Sequence, residues 1–164
     1  MTEVLVAYAT KMGGTKEIAE AIAARIRASS HEVTVLDAAD VRSVEQYKAV
    51  VLGSALYSTR WRPEAVKLLK RNEDVLARKP VWLFHSGPLG PAVAAQKAPR
   101  KVRELAARIG AEEPKTFGGR LTPQTAAGFL ARKMANGPMA GDRRDWEEID
   151  RWAHSIAEHL VAAR

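Results

Sequence analysis

Residues 4–15 read Val4-Leu5-Val6-Ala7-Tyr8-Ala9-Thr10-Lys11-Met12-Gly13-Gly14-Thr15, and the order of their properties decides the fold. The continuous apolar run from Val4 to Tyr8 is what a strand buried on both faces requires, and such strands belong to parallel sheets covered by helices. Two glycines flanked by threonines then break the run. Directly after them, Ile18, Ala19, Ile22, Ala23 and Ile26 share one face of a 3.6-residue repeat, with Lys16, Glu17, Glu20 and Arg27 elsewhere. Strand, glycine turn and amphipathic helix in direct succession open a strand-helix-strand crossover.

The same alternation runs on through the chain. Val33-Thr34-Val35-Leu36 is a second strand ending at Asp37, a turn of helix is expected near Val44–Tyr47, and Ala49–Ser54 is a third strand. Pro63 fits the first turn of a helix reaching about Leu76, and Pro80 introduces a fourth strand, Val81–Phe84. A helix over 98–109 stops at Gly110, and Lys115–Leu121 is a fifth strand. A last helix spans Trp146–Ala162, with Ile149, Trp152, Ala153, Ile156 and Leu160 on its apolar face. The expectation is an α/β open sheet with helices on both faces, whose ligands bind beyond the carboxyl ends of the strands.

The chain has 164 residues and a mass of 18.0 kDa, the size of a single domain over 1–164. With 46% hydrophobic and 27% charged residues it is expected to be globular, and no stretch approaches a membrane span. The start lacks a basic segment ahead of its apolar run, so it reads as a strand and a cytoplasmic location is expected. The absence of cysteine excludes disulfides, thiolate nucleophiles and iron–sulfur clusters, so redox chemistry would need an organic cofactor. The net charge of +7 is concentrated over 60–79 and at Lys97, Arg100, Lys101 and Arg103. No aromatic residues interleave with these charges and no basic-region spacing is present, so no nucleic-acid partner is expected.

Three loops follow strands one, three and four. Thr10, Lys11, Met12, Gly13, Gly14 and Thr15 lead straight into a helix and read either as a phosphate site or as a tight turn with Thr15 as the helix N-cap. A Walker loop is excluded because Thr15 precedes Lys16 and the upstream glycine is missing. A dinucleotide fingerprint is excluded because only adjacent Gly13 and Gly14 are present, which leaves a mononucleotide. Ser54, Ala55, Leu56 and Tyr57 leave strand three, and Tyr57 or Trp61 either covers a flat ring or packs on a helix. Ser86, Gly87, Pro88, Leu89 and Gly90 follow strand four and can bring backbone amides close to a ligand. His85, at the end of strand four, reads as a structural histidine ahead of a proton carrier, and Asp145 as the N-cap of the last helix. No metal site and no catalytic triad are expected.

In Val4–Thr15 with its Thr-x-x-Gly-x-Thr loop, in Val50–Ser54 with the following Tyr57, and in Gly141-Asp142-Arg143-Arg144-Asp145-Trp146, the chain resembles the flavodoxin-like family. Within it, the likeness is greatest to the branch that includes the menaquinone-dependent protoporphyrinogen dehydrogenase. The resemblance implies a flavodoxin-like three-layer sandwich with a five-stranded parallel sheet of order 2-1-3-4-5, and non-covalently bound FMN. Residues 10–15 would then hold the phosphate, Ser54 to Tyr57 would line one side of the ring and Ser86 to Gly90 the other.

The implied activity is an FMN-dependent oxidoreductase acting on a quinone or porphyrinogen-like substrate. An electron carrier between partner proteins and a flavin-free binding module are the alternatives. Its partners would be a redox protein or a small-molecule electron acceptor. Flavodoxin carriers are acidic and this chain is basic, so Arg60, Arg62, Lys97 and Arg100 are either a rim that favours negatively charged reduced flavin or a solvated surface. Residues 122–141 are extra chain, with Phe129, Leu130, Met134 and Met139 either packing on the domain or forming a lid or a peripheral membrane contact.

Overall fold

The computed structural model describes residues 3–57, 59–87, 97–121 and 141–162. In chain order the elements are β1 (Glu3–Ala9), α1 (Gly14–Ala28), β2 (Glu32–Asp37), a 3-10 turn (Ala38–Asp40), β3 (Ala49–Tyr57) and β4 (Arg60–Trp61). They continue with α2 (Pro63–Arg71), α3 (Glu73–Leu76), β5 (Val81–Ser86), α4 (Arg100–Arg108), β6 (Lys115–Phe117), β7 (Arg120–Leu121), β8 (Gly141–Asp142) and α5 (Trp146–Ala162). The main sheet runs β2-β1-β3-β5-β6 with every pair parallel, which is the expected order 2-1-3-4-5, and β4 pairs antiparallel to the end of β3.

Side chains alternate across this sheet with the period of two that a strand imposes. Leu5, Ala7 and Ala9 of β1, Val50 and Leu52 of β3, and Val81 and Leu83 of β5 face one core layer, beneath α2, α3 and α4. Val4, Val6 and Tyr8, Ala49 and Val51, and Phe84 face the other, beneath α1 and α5. The apolar stripe read from the sequence on α1 is buried there in full: Ile18, Ala19, Ile22, Ala23 and Ile26 are each 0% exposed. Trp152 of α5 closes this layer edge-on against Phe84 and Phe117.

Four boundaries differ from the expectation. A 3-10 turn lies at Ala38–Asp40, where the Asp37 carboxylate accepts a hydrogen bond from the Ala39 N–H at 2.9 Å, and Val44–Tyr47 forms a single turn closed by the Tyr47 N–H on the Val44 carbonyl at 3.3 Å, not a helix. The helix expected to run from Pro63 to Leu76 is interrupted at Asn72, whose side-chain amide donates to the Leu68 carbonyl at 2.9 Å and competes with the helical ladder. Strand three continues to Tyr57 and turns back as the hairpin strand β4. The fifth strand stops at Phe117. After Gly118 and Gly119, Arg120 and Leu121 leave the main sheet and pair antiparallel with Asp142 and Gly141. Most of the extra segment, 122–140, lies outside the described residues, including Phe129, Leu130, Met134 and Met139. Among the described residues no helix is long and apolar enough to cross a membrane.

Leu52 sits at the centre of the sheet with no exposed surface. Leu52→Ala is expected to cost about 3 kcal/mol through lost burial and a residual cavity. Urea unfolding would show this as a lower midpoint with an unchanged slope.

Candidate cofactor site

Parallel strands of one sheet carry their carboxyl ends to one edge, and the register fixes how closely. Ala9 lies beside Ser54, Ser54 beside His85, and Ala55 beside Ser86, so the loops after β1, β3 and β5 start side by side. β1 lies between β2 and β3, so the chain leaves β1 toward one side and returns on the other. Such a reversal is where an open parallel sheet binds its ligands.

The first loop is built around Gly13. Its φ of 86° lies in the left-handed region, where a side chain is strained, and its N–H donates to the Thr10 hydroxyl at 2.9 Å. Gly13 is also the N-cap of α1, in place of Thr15, and makes no side-chain cap bond. Thr15 is buried, with its hydroxyl 2.8 Å from that of Ser86, so it ties the first loop to the third. The N–H groups of Gly14, Thr15 and Lys16 belong to the first turn, which has no acceptors within its own helix. Together with the positive end of the helix dipole they have the chemistry that suits an anion.

The other predicted residues are divided by the geometry. Ser54 is fully buried; its hydroxyl accepts from the Arg62 N–H at 2.8 Å and donates to the Ala55 carbonyl, so it anchors the start of α2. Ala55 and Leu56 are half-buried at the strand end. Gly87 packs so tightly that a Cβ there would lie 2.5 Å from the Leu56 carbonyl oxygen, and its N–H donates to the Phe117 carbonyl. The Tyr57 side chain and all of Pro88, Leu89 and Gly90 lie outside the described residues.

Trp61 is a core residue. It is 5% exposed, and its indole N–H donates to His85 Nδ1 at 3.1 Å. An accepting Nδ1 means that Nε2 carries the proton, which it donates to the Thr116 hydroxyl at 2.9 Å. His85, with no exposed surface, is therefore a neutral structural bridge between β4, β5 and β6. Of the basic residues expected at the rim, Arg60 is exposed opposite Tyr57 on the hairpin. Arg62 pairs with Glu64 at 3.6 Å, and Arg100 pairs with Glu104. Lys97 borders a cavity of about 810 Å³ beside the start of β5 and the edge strand β6, which no residue of the first or second loop lines.

The sequence reading missed the ionic cluster at the first loop. Arg144, with only 5% of its side chain exposed, holds both Asp142 oxygens, at 2.9 and 2.6 Å, and Glu17 at 3.0 Å. Arg120 from β7 pairs with the same Glu17 oxygen, and its Nη2 donates to the Met12 carbonyl at 3.2 Å. Arg144 also lies 4.7 Å from the centre of the Trp146 ring. Asp145 caps α5, accepting from the N–H groups of Glu147 and Glu148 at 3.1 Å, as its position predicted. The Gly118-Gly119 pair inside the expected fifth strand was the available signal that Arg120 leaves the sheet.

The hydrogen bond from Arg144 is the main cause that lowers the Glu17 carboxyl below its ordinary range, with the charges of Arg120 and Arg144 adding to it against burial. Asp142 is lowered first by its hydrogen bond from Arg144, and Arg144 is raised first by Asp142.

The chain belongs to the flavodoxin domain family, which matches over residues 5–145. That membership indicates FMN as its cofactor, and the glycine-built anion site at the start of α1 fits a flavin phosphate. Flavodoxin 2 from Bacillus cereus is similar at 23% identity and a TM-score of 0.65, over 96% of this chain and 99% of that one. A flavodoxin from the domain Archaea is similar at 20% identity and a TM-score of 0.63, over 96% and 98%. The rubredoxin oxygen:oxidoreductase of Desulfovibrio gigas superposes with a TM-score of 0.68 at 15% identity over 99% of this chain, which spans 37% of that protein's length. Among curated proteins none matches.

Depressed carboxyls stabilise the fold above their unfolded titration range, and that contribution is lost as pH falls through their folded values. Arg144→Gln is expected to cost about 1–2 kcal/mol at pH 7, limited because Glu17 and Asp142 are half exposed. Urea midpoints at pH 7 and pH 3 should fall further in the parent than in the variant. Equal losses would mean that the cluster adds nothing to stability.

Proposed function

We propose that the chain is an FMN-dependent oxidoreductase of flavodoxin type, passing electrons from a reduced donor to a quinone or porphyrinogen-like acceptor. The observation that carries the cofactor part is the loop at Thr10–Thr15, where a left-handed glycine opens a helix at the strand-order reversal. Bound FMN would supply one- and two-electron transfer, and the protein supplies position and shielding. In this reading the first-turn amides of α1 and the Thr10 hydroxyl hold the phosphate. Ala55, Leu56 and Tyr57 flank the ring on one side and Ser86 to Gly90 on the other. Ser54 and Thr15 act through the loops they anchor, since both hydroxyls are bonded inside the protein. The acceptor class rests on the likeness of Gly141–Trp146 and of the extra chain to the protoporphyrinogen dehydrogenase branch.

A second reading, an electron carrier between proteins, is favoured by the exposed Arg60 on the hairpin next to Tyr57. A basic rim there would dock an acidic partner and make electron transfer salt-dependent.

The test begins with the visible spectrum of the purified protein and the mass of its acid-released ligand. FMN is expected, and Gly13→Glu should weaken its affinity at least tenfold, by about 1.4 kcal/mol or more, through backbone strain and added negative charge. Reoxidation of the reduced protein by menadione, at a rate independent of salt, supports the oxidoreductase. Inertness to quinones with salt-sensitive transfer to an acidic redox protein supports the carrier. A colourless protein that takes up no FMN would leave a flavin-free module.

A further inference from the structure

We propose that Arg120 is a phosphate-binding residue of this site, adding a guanidinium beside the glycine loop at the start of α1; the inference rests on the FMN reading above. Its position is set by the break in the fifth strand. β7 carries Arg120 out of the sheet and across the loop, so that a Cβ on Gly14 would lie 3.6 Å from the Arg120 Cβ, and a Cβ on Gly13 would lie 3.2 Å from Nη2. The glycines that open α1 therefore also make the space in which the guanidinium lies.

The two arginines of the cluster are not equivalent. Arg144 uses four of its five N–H donors: Nε and Nη2 bind the two oxygens of Asp142, and Nη1 binds Glu17 and approaches the Gly14 carbonyl at 3.5 Å. Among the described residues Arg120 pairs with one carboxylate, Glu17, which it shares with Arg144, and its Nε is buried with no hydrogen-bond partner. A guanidinium has five N–H donors, so after Glu17 and Met12 are served Nε–H and one hydrogen on each Nη remain. Charge leads to the same residue. Among the described residues Arg120 and Arg144 pair with Glu17, and Arg144 also with Asp142, while the Nε of the neighbouring Arg143 is likewise buried without a partner.

An arginine with one shared carboxylate and spare donors, lying 17% exposed against the start of a helix, is suited to a phosphate dianion. The phosphate would take up the donors that Glu17 leaves, while Arg144 and Asp142 hold the hairpin in place.

The test compares two ligands that differ only in the phosphate. FMN and riboflavin are titrated into flavin-stripped full chain by flavin fluorescence, with the fold checked by circular dichroism. Arg120→Gln is expected to raise the FMN dissociation constant about tenfold to a hundredfold, the scale of a charge-assisted contact, and to leave riboflavin unchanged. Glu17→Gln, which frees Arg120, is expected to keep or tighten FMN binding. Added salt should weaken FMN more than riboflavin in the parent protein, a readout that stands even if Arg120→Gln does not fold. An unchanged FMN-to-riboflavin ratio in Arg120→Gln, a salt-independent ratio in the parent, or equal weakening by Glu17→Gln would overturn the assignment and leave Arg120 a brace. A parent protein that binds neither flavin would sink the cofactor reading itself, and this one with it.

Discussion

The placement of β1 between β2 and β3 is the constraint on which the site depends. A chain that crosses from β1 to β2 on one side, and then back to β3 on the other, must place its two crossovers on opposite faces if both are right-handed. α1 covers one face and the α2–α4 layer the other, so the loops after β1 and β3 lead away to opposite faces of the sheet. In an open parallel sheet the place where a ligand binds is a product of this topology, and side chains only shape it. A glycine loop is needed at the same point because α1 must start as soon as β1 ends, which a left-handed residue at Gly13 allows.

Buried polar groups then keep the loops in register. On the α2–α4 face, the run Trp61–His85–Thr116 links β4, β5 and β6 through one neutral imidazole. Ser54, one strand over, accepts the Arg62 N–H and fixes where α2 begins. On the α1 face, Thr15 and Ser86 join the helix start to the end of β5. A buried hydroxyl or imidazole without a partner costs on the order of 1–3 kcal/mol, so a slip of any one strand would leave several such groups unpaired. The apolar core fills the volume, and these bonds select one arrangement of the loops.

Most of this architecture is legible in the chain because it follows from periodicity. The run from Val4 to Tyr8 and the stripe from Ile18 to Ile26 need no tertiary information, and they locate the first loop between them. What the pattern hides is set by contacts distant in sequence. Ser54 and Thr15 are small hydroxyl residues in candidate loops, and only the folded partners show that both point inward. Trp61 sits four residues after the end of a strand whose length the sequence leaves ambiguous, where a ring-covering and a core residue look alike. Its bond to His85 decides between them. Arg120 and Arg144 are separated from Glu17 by more than a hundred residues, so charge counted along the chain could not pair them.

The same cluster accounts for how a basic chain keeps a flavodoxin-type loop ordered. The net charge of +7 would repel itself wherever arginines gather, yet Arg120 and Arg144 lie together on one carboxylate oxygen. Asp142 resolves part of the conflict by pairing Arg144 at both oxygens, and the ring of Trp146 takes one face of its guanidinium. Glu17 stands in the first turn of α1, where a carboxylate also complements the helix dipole. The hairpin β7–β8 is thereby tied to the glycine loop by charge as well as by backbone pairing. Its strands are two residues each, too short to be stable by their own hydrogen bonds, so the ionic contacts to α1 are what fix them over the loop.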